Sequence, residues 1–148
     1  MPNVVDLSRG GGADPHAVVA LIAFSKKARA MLSVRLAEIG LQLGEDDVLR
    51  VLQSGKITTI QEVSDALFVR SHTVTKIVDS LVIKGLISRH AGPLLSISDA
   101  GIGMMPRIEF ALSRMARDLQ RVIGAARLQR LTEDLESLNE GIRLPVKL

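Results

Sequence analysis

Hydrogen-bonding side chains crowd one short stretch of the chain, Arg70-Ser71-His72-Thr73-Val74-Thr75-Lys76. Read as a helix, this stretch and its continuation place Val74, Ile77, Val78 and Leu81 at i, i+3, i+4 and i+7, an inward apolar face. His72, Thr75, Lys76, Asp79 and Ser80 are left on the opposite side. A merely solvated helix face is normally rich in Glu and Lys, whereas this one is short and hydrogen-bonding. Short side chains let a helix enter a groove about 12 Å wide, where Lys, Ser and Thr meet base edges or phosphates. The chemistry on offer is recognition of a duplex nucleic acid.

Other chemistries find little support. The chain has no cysteine, which excludes disulfides, thiolate catalysis, cysteine redox sensing and cysteine-based zinc sites. Its 3 histidines have no HxxxH or HxH spacing, so no metal site is expected. No Ser-His-Asp spacing, Gly-rich phosphate loop or paired-carboxylate motif stands out, which points away from an enzyme and from a cofactor. Aromatics are 2%, all of them phenylalanine (Phe24, Phe68 and Phe110), so stacking platforms for single strands are not expected. Lys and Arg number 19 against 16 Asp and Glu, a net +3 that permits an anionic partner without demanding one.

The elements that must position the stretch are legible around it. A chain of 148 residues, 47% hydrophobic and 24% charged, makes one domain with a packed core, or one domain with a tail. Residues 1–13, with Gly10-Gly11-Gly12, read as a flexible tail. Asp14-Pro15 suits a helix start, and the helix runs to about Ile39, ended by Gly40. Its run from Ala17 to Phe24 is apolar on nearly all sides and calls for burial by its own core or by a second subunit. That run is far short of the roughly 18 residues of a membrane span. No cationic start leads into an apolar signal core, and the expected location is the cytoplasm.

A second helix opens at Leu43-Gly44-Glu45-Asp46-Asp47, its acids suiting the positive end of the helix dipole, and Gly55 stops it. Val48, Leu49, Val51 and Leu52 supply its inner face. Thr59-Ile60-Gln61-Glu62 matches a capping box for a short third helix, with Val63, Ala66 and Leu67 inward. After the tight connection Phe68-Val69-Arg70, Ser71 is placed to cap the fourth helix, which Gly85 terminates. Leu86 to Arg89 and Leu94 to Ser98 read as the strands of a hairpin about the turn His90-Ala91-Gly92-Pro93. A long helix follows from Asp99 to about Ile123, with Pro106 inside it. Gly124 breaks it, and a last amphipathic helix runs from Ala125 to Glu140, with Gly141 and Pro145 closing the ordered region. Short helix, turn, second helix and hairpin make a winged helix-turn-helix.

The run Ser71 to Arg89 resembles the recognition helix and first wing strand of MarR-family regulators. Leu43 with Asp47-Val48-Leu49-Arg50-Val51-Leu52 resembles that family's second helix. Thr59 to Leu67 resembles its T-x-x-E-L-A helix, with Val63-Ser64 in place of Leu-Ala. Leu95 to Gly101 resembles the joint into its long dimer helix. The resemblance covers roughly residues 15–140. It implies a mainly α fold with a small β-hairpin wing, in which 14–40 and 99–148 dimerise and 41–98 form the winged helix-turn-helix. It implies a homodimeric transcriptional regulator, a repressor in the first reading, on a palindromic duplex DNA site, with a small-molecule effector often between the two parts.

One departure concerns the wing. Family wings carry an Asp-x-Arg signature and several basic residues, whereas this tip is only His90-Ala91-Gly92-Pro93. In the window 55–90, Lys56, Arg70, Lys76, Lys84 and Arg89 stand against Glu62, Asp65 and Asp79, five cations less three acids for a net of +2. An alternative follows: a winged-helix interaction protein with weak or no DNA binding of its own, acting through a protein partner. The DNA-binding candidates are Arg70, Ser71, His72, Thr73, Thr75, Lys76 and Arg89. Arg70 is expected on phosphate and Lys76 on phosphate or guanine, while His72 is a base reader, a reporter of pH or a solvated helix residue. Arg89 reaches DNA or pairs with an acid such as Asp79, the latter preferred. Arg107, Arg114, Arg117, Arg121, Arg127 and Arg130 alternate with acids and read as a salt-bridged surface. Met31, Met104, Met105 and Met115 are expected in the core.

Overall fold

A computed structural model of the chain describes residues 12–144. The expected tail 1–13 lies outside them except for Gly12 and Ala13, and so does Pro145. The first helix, α1 (Pro15–Ala37), starts as read from the sequence: the Asp14 side chain accepts from the His16 N–H at 2.9 Å. Pro15 stands where a missing N–H costs nothing. Past the helix, Gly40 takes φ +78°, and the Leu41 N–H returns to the Leu36 carbonyl at 2.9 Å. Leu36 is the one fully buried residue of α1. Val18, Val19, Leu21, Ile22 and Phe24 stay exposed on the single chain, so the chain's own core does not cover the apolar run.

The middle of the chain builds the winged helix-turn-helix. In α2 (Glu45–Leu52), Val48, Leu49 and Leu52 are buried, and Val51 is partly so. Gly44 precedes it at φ +92°, and a Cβ there would sit 2.9 Å from the Ile77 Cδ1. Glu45 and Asp46 do more than favour the dipole, because both are buried. The third helix, α3 (Ile60–Leu67), carries the full capping box: the Glu62 N–H donates to Thr59 Oγ1 at 3.1 Å, and the Thr59 N–H to Glu62 Oε2 at 3.4 Å. Its inward residues are Val63 and Ser64, with Leu67 half-buried. Ala66, expected inward, is exposed, because the tight turn at Phe68 (φ 54°) brings the Val69 carbonyl onto the Ser64 hydroxyl instead.

The fourth helix, α4 (Ser71–Ile83), buries Val74, Val78 and Leu81. Ser71 does not cap it. Arg70 holds the cap position with extended backbone, and its carbonyl accepts from the N–H groups of Thr73 and Val74. The hairpin pairs β2 (Ile87–Arg89) with β3 (Leu94–Ile97), in register Ile87 to Ile97 and Arg89 to Leu95. A third strand, β1 (Thr58–Thr59), joins the other edge of β3, giving the order β1-β3-β2. Two residues have no visible period, so the sequence shows only their capping role.

The long helix α5 (Asp99–Ile123) begins under the wing. Ser98 accepts from the Gly101 N–H at 3.0 Å and donates to the Gly85 carbonyl at 2.6 Å. Gly101 is required there, since a Cβ would lie 2.2 Å from the Leu86 carbonyl oxygen. Gly124 ends α5, and α6 (Ala125–Gly141) follows. One core joins Leu36 and Leu41 to the inner faces of α2, α3, α4 and the sheet, closed by Ile108 from α5. Met104 and Met105 pack on its edge as expected. The chain is mainly helical with a small antiparallel sheet.

Candidate nucleic-acid interface

The exposed side of α4 is set by what its inner side buries. With Val74, Val78 and Leu81 fixed in the core, His72 and Lys76 must face out. They are four residues apart and so share one face. Neither has a hydrogen bond or ion pair among the described residues, nor has Arg70 at the start of the helix. No side chain caps α4, and with the Thr73 N–H on the Arg70 carbonyl, the N–H groups of Ser71 and His72 are left open to an anionic oxygen.

The hydroxyl groups on this face are already engaged. Ser71 Oγ donates toward Gln61 Oε1 at 3.2 Å, with Ser64 Oγ at 3.4 Å. Thr75 Oγ1 donates to the Ser71 carbonyl at 2.9 Å. With their hydrogens engaged inside the protein, Ser71 and Thr75 are left as acceptors, suited to the amino groups of adenine or cytosine rather than to phosphate. Thr73 is half-buried. The structure thus brings Arg70, Ser71, His72, Thr73, Thr75 and Lys76 together around the first two turns of α4.

Arg89 stands apart from them. Its guanidinium pairs with the Asp79 carboxylate, the preferred of its two readings. At the wing tip, His90 Nε2 lies 2.7 Å from Ser96 Oγ. The tip carries no unpaired cation among the described residues. Lys84 is also spent: its Nζ lies 2.7 and 2.8 Å from the two oxygens of Glu45. Of the five cations counted in this unit, Lys56, Arg70 and Lys76 remain without a partner among the described residues. The Glu45–Lys84 pair spans 39 positions and has no local sequence signal.

A second feature lies at the far end of the molecule. A cleft of about 630 Å³ opens between α1, α5 and α6, lined by Leu21, Phe24, Met31, Leu119, Val122 and Leu131. Met31, expected in the core, lines this cleft because α1 leaves the core beyond Leu32 toward its N-terminus. At its rim Arg35 donates to Asp118 at 2.8 Å, and this hydrogen bond holds the Asp118 carboxyl below its ordinary range. Arg114 reaches Glu38 at 3.3 Å and Arg121 reaches Asp118 at 3.4 Å, whereas Arg107, Arg117, Arg127 and Arg130 have no ion pair among the described residues, so only two of the six arginines form the salt-bridged surface expected of them. Among the described residues no group of three or more His, Asp or Glu could hold a metal ion. No helix of the described residues is long and apolar enough to cross a membrane.

No protein-family model matches the chain, and no curated protein matches it in sequence. Solved structures do. A MarR-family protein of Mycobacterium tuberculosis, solved in complex with DNA, is 19% identical with a TM-score of 0.72, over 86% of this chain and 98% of that one. A MarR transcriptional regulator from Methanosarcina mazei Go1 is 16% identical with a TM-score of 0.75, over 88% and 92% of the two chains. The transcriptional repressor CouR, bound to p-coumaroyl-CoA, is 19% identical with a TM-score of 0.73, over 81% and 88%. The chain has the winged-helix fold of the MarR-family regulators.

Proposed function

We propose that this chain is a MarR-family transcriptional regulator that works as a homodimer in the cytoplasm and reads a palindromic duplex site with α4 of each protomer. The observation that carries the reading is the pair His72 and Lys76. They are exposed on a helix whose first N–H groups are uncapped, in a fold shared with a protein solved on DNA. Lys76 reads guanine or holds phosphate, Arg70 and the helix start hold phosphate, and Ser71 and Thr75 accept from base amino groups. No step of this function is catalytic. Repression follows where the site overlaps a promoter.

The dimer is supported by the apolar surface at both ends of the chain. Val18, Leu21, Ile22 and Phe24 of α1 face solvent, and so do Leu131, Leu135 and Leu138 of α6, which share one face. The 630 Å³ cleft between these helices gives a partner's helix a place to insert. Exposed apolar surface on this scale marks an interface. Light scattering at micromolar concentration should give twice the monomer mass, and a folded monomer refutes the dimer. A small-molecule effector remains part of the proposal, since CouR was solved with p-coumaroyl-CoA.

A second reading is favoured by the bare wing. With Arg89 bound to Asp79, and Glu62 and Asp65 on α3, the unit shows little net positive field. A winged-helix dimer of that kind could act through a protein partner. Fluorescence anisotropy with duplex DNA from upstream of the gene separates the two readings. Binding that Lys76→Ala weakens, and that a swap of His90–Pro93 for an Asn-Gly turn spares, supports the regulator. No binding at low salt by the intact dimer supports the partner reading.

A further inference from the structure

The ion pair between α2 and α4, buried at its Glu45 end and partly open to solvent at Lys84, does not belong to the proposed DNA face, yet it sits where it can hold that face in place. Glu45 is the first residue of α2 and its side chain is 2% exposed. Its carboxylate receives the Lys84 ammonium on both oxygens, and Oε1 also accepts from the Gln42 N–H at 3.1 Å. The same ammonium donates to the Gly40 carbonyl at 3.0 Å. Gly40 and Gln42 lie in the link that joins α1 to α2, and Lys84 is the residue that ends α4. A single cation therefore ties the end of the reading helix to the end of the helix that carries the exposed apolar face.

We infer that Glu45 and Lys84 are positioning residues that fix the angle of α4 against α1, and through it the spacing of the half-sites a dimer accepts. As a source of stability the pair is a poor choice, since desolvation of the buried Glu45 carboxylate offsets much of the gain while the Lys84 end is screened by solvent, and the best-attested use of a buried ionic group is to fix register. Here an ammonium, a carboxylate, a carbonyl and an N–H from three segments meet at one point. The fit is directional, and an apolar contact would let the helix roll. The leverage is large. Thirteen residues of helix are about 20 Å long, so a tilt of about 10° about the clasp moves the Ser71 end by about 3 Å. That is close to the rise of one base pair, about 3.4 Å. Ser71, His72 and Lys76 all lie toward the moving end.

The consequence for DNA rests on the regulator reading, but the clasp can be tested without it. Because the chain has no cysteine, the full-length pair Val34→Cys and His72→Cys accepts two spin labels only. Diluting labelled chain into unlabelled chain isolates the distance between α1 and α4 within one protomer. The expected result is a narrow distribution that broadens by about 3 Å in Lys84→Met and in Glu45→Gln. An unchanged distribution in a folded variant overturns the inference. Should Lys84→Met fail to fold, Glu45→Gln decides, since the amide keeps the shape and an acceptor for Gln42. On DNA, the parent chain should prefer one half-site spacing over its neighbours by about tenfold, and the clasp variants by less than about threefold. Lys76→Ala should weaken all spacings alike, which a simple loss of reading would do. If clasp variants keep the tenfold preference, the positioning role is wrong. If the parent binds no duplex at all, the regulator reading fails and the distance distribution alone judges the clasp.

Discussion

Salt dependence tests the proposed interface quantitatively, because the structure says which cations are free. Lys84 is bound to Glu45 and Arg89 to Asp79, so each winged helix offers Lys56, Arg70 and Lys76, and a dimer offers twice that set. Each phosphate neutralised contributes about −0.9 to the slope of log K against log salt, so six contacts give a slope of about −5. Between 50 and 200 mM salt the affinity should then fall by about 10³. Lys76→Ala removes two of the six contacts if it touches phosphate, which brings the slope to about −3.5. If Lys76 reads guanine instead, the slope stays and discrimination falls by about 1–3 kcal/mol per half-site. Anisotropy titrations at four or five salt concentrations, on operator and on random duplex, measure both. A slope steeper than about −8 would refute the reasoning, because it needs more phosphate contacts than Lys56, Arg70 and Lys76 of two protomers supply, drawn from Arg89, Lys84 or cations outside the winged helix.

Five further outcomes follow from the packing and the charges. Gly101→Ala should lower stability by about 2 kcal/mol, the clash with the Leu86 carbonyl exceeding the helix propensity gained. Gly103→Ala, in the same helix with open space around it, should raise stability by roughly 0.5–1 kcal/mol in urea unfolding. Arg50→Ala should cost about 3 kcal/mol, since Arg50 Nη2 lies 3.1 Å from the fully buried Asp46 and its loss strands that charge; Asp46→Leu with Arg50→Leu should recover most of it. Acid and base behaviour should split between two aspartates. The Arg35 hydrogen bond lowers the Asp118 pKa, so its contribution is present above the ordinary aspartate pKa of about 4 and is lost as pH falls through the lowered value; Asp118→Asn should flatten that part of the melting profile. Partial desolvation and the neighbouring Asp46 raise the Asp47 pKa against the opposing pull of its Arg50 partner, so on balance its charge weighs against folding at neutral pH. Asp47→Asn should raise the melting temperature at pH 7, with the gain shrinking as pH falls into the carboxylate range.

What the sequence showed and what it hid divide along the range of the interactions. The capping box at Thr59, the stop at Gly124 and the inward face Val74–Leu81 are local patterns, each written within a dozen residues. The misread positions are those where a distant partner overrode a local preference. Ser71 has the composition of a helix cap, but Gln61 and Ser64 from α3 take its hydroxyl, and the cap falls to Arg70. Ala66 fits an inward face, but the left-handed turn at Phe68 turns Ser64 inward instead. The strand Thr58–Thr59 exists only because β3 lies beside it.

The same division governs the site, where it matters more. Residue types and spacing single out the face proposed to recognise DNA, yet they count every cation alike. Arg89 could be paired in advance because an acid lies only ten positions before it, at Asp79 on α4. Lys84 could not, since Glu45 is 39 positions distant and belongs to a helix start that looks self-sufficient in the sequence. Removing both cations leaves a unit whose electrostatic pull comes from three residues, while its hydroxyl groups are oriented by their neighbours. Weak attraction with a rigidly held, hydrogen-bonding helix favours discrimination over affinity: few phosphate contacts make non-specific binding weak, and base contacts then decide where the protein rests. A dimer is the natural complement of that arrangement, because two modest half-sites joined at a fixed spacing multiply selectivity without adding charge.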